Sequence, residues 1–213
     1  MFTPEEIRAS MRLYAVSDRS WLQGRTLAYC VRQAIEGGAT CIQLREKQAC
    51  SHEVESLARE LKDLCADKHI PFILNDDIEI ARRVEADGVH IGQDDMGCVE
   101  ARAILGEKAI IGVSVQTLEE ACEAEAAGAD YLGVSALFGT PTKPEAFEVS
   151  LETLHAICDR VSIPVVAIGG LNLDTIPELI NSGVDGVAVV SAIFAADDIR
   201  SATKNLLKLA YKL

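Results

Sequence analysis

The segment Pro164-Val-Val-Ala-Ile-Gly-Gly170, then Thr175-Ile-Pro-Glu-Leu-Ile-Asn-Ser182, then Gly186-Val-Ala-Val-Val-Ser-Ala-Ile193 reads as strand, helix, strand. Its two outer runs are almost wholly apolar and rich in β-branched residues. They show no polar alternation, which is the pattern of parallel strands covered on both faces. Gly183 can take the left-handed backbone conformation that stops a helix, so the chain can turn back into the second strand.

The same unit recurs along the chain. The spacing predicts strands at Leu13–Asp18, Cys41–Lys47, Pro71–Asp76, Gly88–Gly92, Ala109–Val115, Tyr131–Ala136, Pro164–Gly170 and Gly186–Ile193. Helical periodicity lies between and after them, at Arg25–Glu36, Ser51–Asp67, Asp77–Glu85, Val99–Leu105, Thr117–Ala127, Ser150–Arg160, Thr175–Ser182 and Asp198–Lys212. Ser51, Thr117, Ser150 and Asp174 are expected to cap helix starts with a side-chain oxygen, and Gly37-Gly38 and Gly128 to end helices as Gly183 does. Asp87, Asp130 and Asp185 recur just before strands, where they suit turn chemistry rather than catalysis. No glycine-rich phosphate loop follows the first strand, as an open doubly wound sheet often has. Eight repeated units without a composition break therefore predict one (β/α)8 TIM barrel spanning residues 1–213.

Composition narrows the function classes. With 20 Lys and Arg against 33 Asp and Glu, the net charge of −13 repels nucleic acid and anionic lipid, so neither is an expected partner. Seven cysteines, none in a C-x-x-C pair, signal neither a disulfide framework nor a zinc site. The N-terminus has no basic region followed by an apolar run, and no stretch is long and apolar enough to span a bilayer. A cytoplasmic protein is expected.

In a barrel of this kind the chemistry sits at the C-terminal ends of the strands, and there polar residues gather unevenly. Strand two ends Gln43-Leu44-Arg45-Glu46-Lys47, and alternation points Gln43, Arg45 and Lys47 to one face, the barrel interior. Buried cations need a partner or an anionic ligand. An ion pair of Arg45 with Glu46 or another carboxylate is the alternative reading, and the ligand reading is preferred because Glu46 points the other way. Asp76 and Asp95 end strands three and four and are placed to share one hard cation such as Mg2+. Asp77 reads equally as a helix cap. Thr140-Pro141-Thr142-Lys143 sets two hydroxyls and an ammonium over the mouth, and Gly169-Gly170 with Val190-Ser191 lies where many barrels hold a phosphate on backbone amides. Two anionic subsites in one mouth follow. None of these motifs specifies an assembly state.

The order Ile-Gln-Leu-Arg-Glu-Lys, Asn-Asp, Asp-Gly-Val-His-Ile-Gly-Gln-x-Asp, Gly-Val-Ser, Thr-Pro-Thr-Lys, Ile-Gly-Gly and Val-Val-Ser across residues 13–194 resembles the thiamine phosphate synthase family. The resemblance implies a transferase that joins an aminopyrimidine diphosphate to a thiazole phosphate with release of diphosphate. It implies that Gln43, Arg45 and Lys47, in one run with Leu44 and Glu46, contact the pyrimidine diphosphate together with Asn75, Ser114 and Lys143. Arg45, Lys47 and Lys143 would neutralise the departing group. Asp76 and Asp95 match magnesium ligands, and Thr140, Pro141, Thr142, Gly170, Val190 and Ser191 match the thiazole phosphate side. His90 is read as a core residue outside the site. The chain departs from the family at Ser135-Ala136, where Gly-Pro is common. The alternatives are a thiazole tautomerase or another phosphate-binding barrel isomerase, and a non-catalytic barrel that senses such ligands.

Overall fold

The apolar runs form eight parallel strands in a computed structural model that describes residues 2–47, 49–139 and 149–213. They are β1 (Leu13–Val16), β2 (Cys41–Leu44), β3 (Phe72–Asn75), β4 (Gly88–Ile91), β5 (Ile110–Val115), β6 (Tyr131–Val134), β7 (Val165–Ile168) and β8 (Gly186–Val189). Each pairs with the next, and β8 pairs with β1 through Leu13 opposite Val187, which closes the barrel. Around it lie α2 (Leu27–Gly37), α3 (Ser51–Ala66), α4 (Ile78–Val84), α5 (Cys98–Leu105), α6 (Leu118–Ala126), α7 (Leu151–Arg160) and α9 (Ile199–Ala210).

Several boundaries differ from expectation. The strands are shorter, because ladder pairing stops where the chain leaves the barrel to form the mouth. The eighth strand ends at Val189, and its expected tail through Ile193 enters a one-turn helix, α8 (Ser191–Phe194). The stretch expected as helix at Thr175–Ser182 contains only a 3-10 turn, Ile176–Leu179. Helix α1 (Pro4–Ser10) was not expected. Its Thr3–Glu6 capping box and Pro4 at the first turn are legible in the sequence. Thr117 and Ser150 cap their helices, whereas α3 is preceded by Cys50 without a side-chain cap bond and Asp174 is not a cap.

Two apolar layers hold the fold. The outer one lies between strands and helices and buries Leu44, Phe72, Leu74, Val89, Leu132 and Val187 among many others. Each such side chain contributes about 1.5–3 kcal/mol on leaving water. The inner one fills the barrel with Tyr14, Cys41, Ile73, Ile110, Tyr131 and Val166, and Ile7 and Met11 bring α1 up against its floor. Gly112 makes room for this packing: a Cβ there would lie 2.0 Å from Cζ of Tyr131.

The Asp residues before strands have a common task at the floor. Asp87 accepts from Phe72 N–H at 2.9 Å, Asp130 from Ile111 N–H at 2.7 Å and Asp185 from Val165 N–H at 2.9 Å. Thr40 does the same for Leu13 N–H at 2.8 Å. The residue before each even-numbered strand thus satisfies an amide at the start of the preceding odd-numbered one, which water would otherwise have to do. This agrees with the turn reading of the three aspartates.

Candidate functional site

Alternation along β2 puts Leu44 outward into the helix-facing core and Gln43 and Arg45 inward. Ser17, fully buried, fixes the end of this wall: its N–H donates to Gln43 O at 2.9 Å and its hydroxyl accepts from Arg45 N–H at 3.0 Å. Arg45 then meets Asp18 at 3.4 Å while Arg19 meets Glu46 at 2.6 Å, two crossed ion pairs that tie the loop after β1 to the end of β2. The less favoured alternative, an ion pair of Arg45 with a neighbouring carboxylate, is thus present. The carboxylate is Asp18 rather than Glu46, because Glu46 turns away and is only 2% exposed beside Arg19. Arg45 still lines the cavity beside this ion pair.

Beside this wall the ends of β3 and β4 bring Asp76 and Asp95 together. Burial first, then the hydrogen bond and charge of Asp95, push the Asp76 carboxyl up to about 6, against the opposing effect of Lys47 and Asn75. A carboxyl whose proton affinity is raised by a neighbouring carboxylate forms with that neighbour a donor set that a cation relieves. Two oxygen ligands from protein, with the rest from water and phosphate, are what Mg2+ commonly uses. The pair therefore fits that ion. Among the described residues no larger group of His, Cys, Asp and Glu is placed to hold a metal. Asp95 is steadied by Gly92 N–H at 2.7 Å. Asp77 proves to be the cap of α4, accepting from Ile80 N–H at 2.8 Å.

On the opposite side Gly170 follows β7 with φ +67°, and Val190 and Ser191 lead into α8. A Cβ on Gly170 would lie 2.6 Å from Cβ of Phe138 and 2.9 Å from the Gly139 carbonyl oxygen, so only glycine fits this loop. Val190, Ser191 and Ala192 at the start of α8 line the same cavity as Gly170.

That cavity has a volume of about 450 Å3 and unites both sides. Gln43, Arg45, Asn75, Ser114, Gly170, Val190 and Ser191 line it, as do Ser135 and Ala136. Leu44 and Glu46 do not, and Lys47, Asp76 and Asp95 stand outside its lining, with Lys47 close enough for its charge to act on Asp76. Thr140, Pro141, Thr142 and Lys143 lie outside the described residues.

The floor contains what sequence reasoning missed. His90 was expected outside the site, yet it lines the cavity with Tyr14 and Tyr131. Gln43 Nε2 donates to Tyr14 Oη at 2.8 Å, Tyr14 and Tyr131 hydroxyls meet at 2.9 Å, Tyr131 Oη meets His90 Nδ1 at 3.0 Å, and His90 Nε2 meets Ser114 Oγ at 2.8 Å. Burial pushes both phenols well above their ordinary range, so they stay protonated. The available signal was strand parity: His90 shares its inward face with Gly88 and Gly92, and Tyr131 begins a strand opposite Gly112.

The chain matches the family model described as thiamine monophosphate synthase over residues 13–193. It is 45% identical over 199 residues to a thiamine-phosphate synthase of Clostridium novyi, covering 93% of this chain and 98% of that protein. To the protein of that name from Ruminiclostridium cellulolyticum it is 47% identical over 197 residues, 92% of this chain and 94% of the other. A solved structure titled thiamine phosphate pyrophosphorylase, from Pyrococcus furiosus, superposes with a TM-score of 0.89 at 42% identity, covering 96% of this chain and 98% of that one. Sequence, fold and the disposition of polar residues at the barrel mouth agree: this chain belongs to the thiamine monophosphate synthase family.

Proposed function

We propose that this chain is a thiamine-phosphate synthase, a single-barrel transferase that joins 4-amino-2-methyl-5-(diphosphooxymethyl)pyrimidine to 4-methyl-5-(2-phosphoethyl)thiazole and releases diphosphate. A carboxylated thiazole would lose CO2 in the same reaction. The observation that carries this reading is the meeting, at one rim, of Arg45, Asn75 and Ser114 with the Asp76–Asp95 pair and Lys47. Across the cavity lies the Gly170–Ser191 side, suited to a monophosphate.

The electron-rich aminopyrimidine stabilises positive charge at its exocyclic methylene, so the C–O bond to diphosphate breaks before or as the thiazole nitrogen forms the new C–N bond. Asp76 and Asp95 would hold Mg2+, which would neutralise charge on the departing diphosphate. Arg45, Lys47 and Lys143 add donors to the same oxygens, where preorganised charge acts most on the transition state. Gly170, Val190 and Ser191, with Thr140, Pro141 and Thr142, hold the thiazole phosphate so that its nitrogen faces the methylene, and positioning of this kind replaces covalent catalysis. Among the described residues no helix is long and apolar enough to cross a membrane, and the proposed setting is the cytoplasm. The test is incubation with both substrates and Mg2+, with and without chelator, followed by mass detection of the coupled product. Coupling abolished by chelator is expected, and binding of both ligands without product would overturn the reading.

A further inference from the structure

We infer that Tyr14, Tyr131 and His90 form a one-way hydrogen-bond chain that commits the Ser114 hydroxyl proton and the Gln43 carbonyl oxygen to the ligand, making Tyr131 a positioning residue for the pyrimidine diphosphate. The assignment of that ligand rests on the function proposed above. The direction of the chain does not.

The direction follows from counting protons. An amide nitrogen only donates, so Gln43 Nε2–H, 2.8 Å from Tyr14 Oη, occupies a lone pair of that oxygen. Tyr14 is 1% exposed and has one proton to place, and the Tyr131 oxygen at 2.9 Å is the strong acceptor beside it. Tyr131, fully buried, must then give its own proton onward to His90 Nδ1 at 3.0 Å. A neutral imidazole that accepts at Nδ1 carries its hydrogen on Nε2. Nε2–H therefore donates to Ser114 Oγ at 2.8 Å. Run backwards, the chain would leave Tyr14, among the described residues, only the Cys41 sulfur, a weak acceptor, for its proton.

The consequence appears at both ends. Ser114 receives a hydrogen bond from His90, so its own proton is free to point into the cavity, and a diphosphate oxygen can only accept. Gln43 has spent an N–H on Tyr14 and offers Oε1, which suits the exocyclic amine of an aminopyrimidine. The barrel makes space for this chain: a Cβ on Gly133 would lie 3.0 Å from Cε1 of His90, and one on Gly112 would collide with the Tyr131 ring.

The test combines 15N NMR of the histidine rings, with His90 assigned through His90→Asn, and steady-state kinetics. In the ligand-free wild-type protein His90 is expected to show a protonated Nε2 and a bare Nδ1. Tyr131→Phe removes the donor to Nδ1, so the ring should shift toward the Nδ1–H form. KM for the pyrimidine diphosphate should rise about tenfold, the scale of one hydrogen bond to a charged group, with KM for the thiazole phosphate unchanged. Tyr14→Phe leaves Tyr131 with His90 Nδ1 as the acceptor for its proton, so the ring should keep its Nε2–H form, and a shift toward Nδ1–H in that variant would overturn the counting. A wild-type His90 protonated on Nδ1 overturns the inference, even where Tyr131→Phe fails to fold. So does a Tyr131→Phe protein with unchanged ring spectrum and KM, or one in which both KM values rise alike. Failure of the wild-type protein to couple the substrates would sink the synthase reading and leave the ring spectrum to decide the chain's direction.

Discussion

Asp76→Asn isolates the cost of the carboxylate pair. Asp76 sits at φ +64°, a conformation that Asn also adopts readily, so the backbone is not strained by the change. Its carboxyl is pushed from 3.8 up to about 6 by burial and by Asp95. A raised pKa means that the metal-free folded protein holds this proton more tightly than the unfolded chain does. The associated stability is complete below about pH 4 and is lost as pH rises through about 6. Taken in full, a displacement of this size corresponds to about 3 kcal/mol. The side chain is only half-buried, and solvent screening reduces the figure to about 1–2 kcal/mol. In chelator at pH 8 the variant should therefore melt higher than wild type by roughly 3–6 °C. At pH 4 the two should melt together. Added Mg2+ should raise the wild-type melting temperature and reverse the order, because binding to the folded state alone stabilises it, while the variant responds only at higher Mg2+. Turnover should show the same rightward shift in metal requirement. Thermal melts at the two pH values with chelator or millimolar Mg2+ read all of this. Equal melting in chelator at pH 8, or identical metal responses, would refute the argument.

Gly170→Ala should raise KM for the thiazole phosphate, because the added methyl meets Phe138 and Gly139 at a positive φ; kinetics with each substrate varied in turn will show whether the effect is confined to that side. Asp130→Ala removes the partner of Ile111 N–H and of Arg102 at once, and denaturant unfolding should register a loss of about 2–4 kcal/mol. An unaltered midpoint would deny Asp130 its role at the barrel floor. Lys143→Ala should depress the chemical step by about 100-fold or more, as loss of a charge aimed at the leaving group does, and a normal single-turnover rate would remove it from the site.

The barrel was legible because its strands carry uninterrupted apolar runs and some of its helices, such as α2 at Gly38 and α5 at Gly106, end on glycine, so local pattern and global closure agree. Boundaries were less so: residues such as Val190 and Ile193 continue the apolar composition of β8 after ladder pairing has stopped, and pairing is a tertiary fact. The wall at Gln43 and Arg45 was legible from alternation alone. The Arg45–Asp18 contact was not, since Asp18 reaches it only through a loop that folds across from β1. His90 was misplaced for a related reason. A single His on an apolar strand reads as core, and only the register of β4, β5 and β6 shows that its two nitrogens join Tyr131 to Ser114.

The central claim is that a carboxylate-held divalent ion and Arg45 meet the same diphosphate. Crystals soaked with Mn2+ and diphosphate test it most directly, through the anomalous difference map. The account predicts one strong peak at coordination distance, about 2.1 Å, from carboxylate oxygens of both Asp76 and Asp95, with diphosphate bridging it to the Arg45 guanidinium. A peak elsewhere, or diphosphate bound away from Arg45, would contradict it.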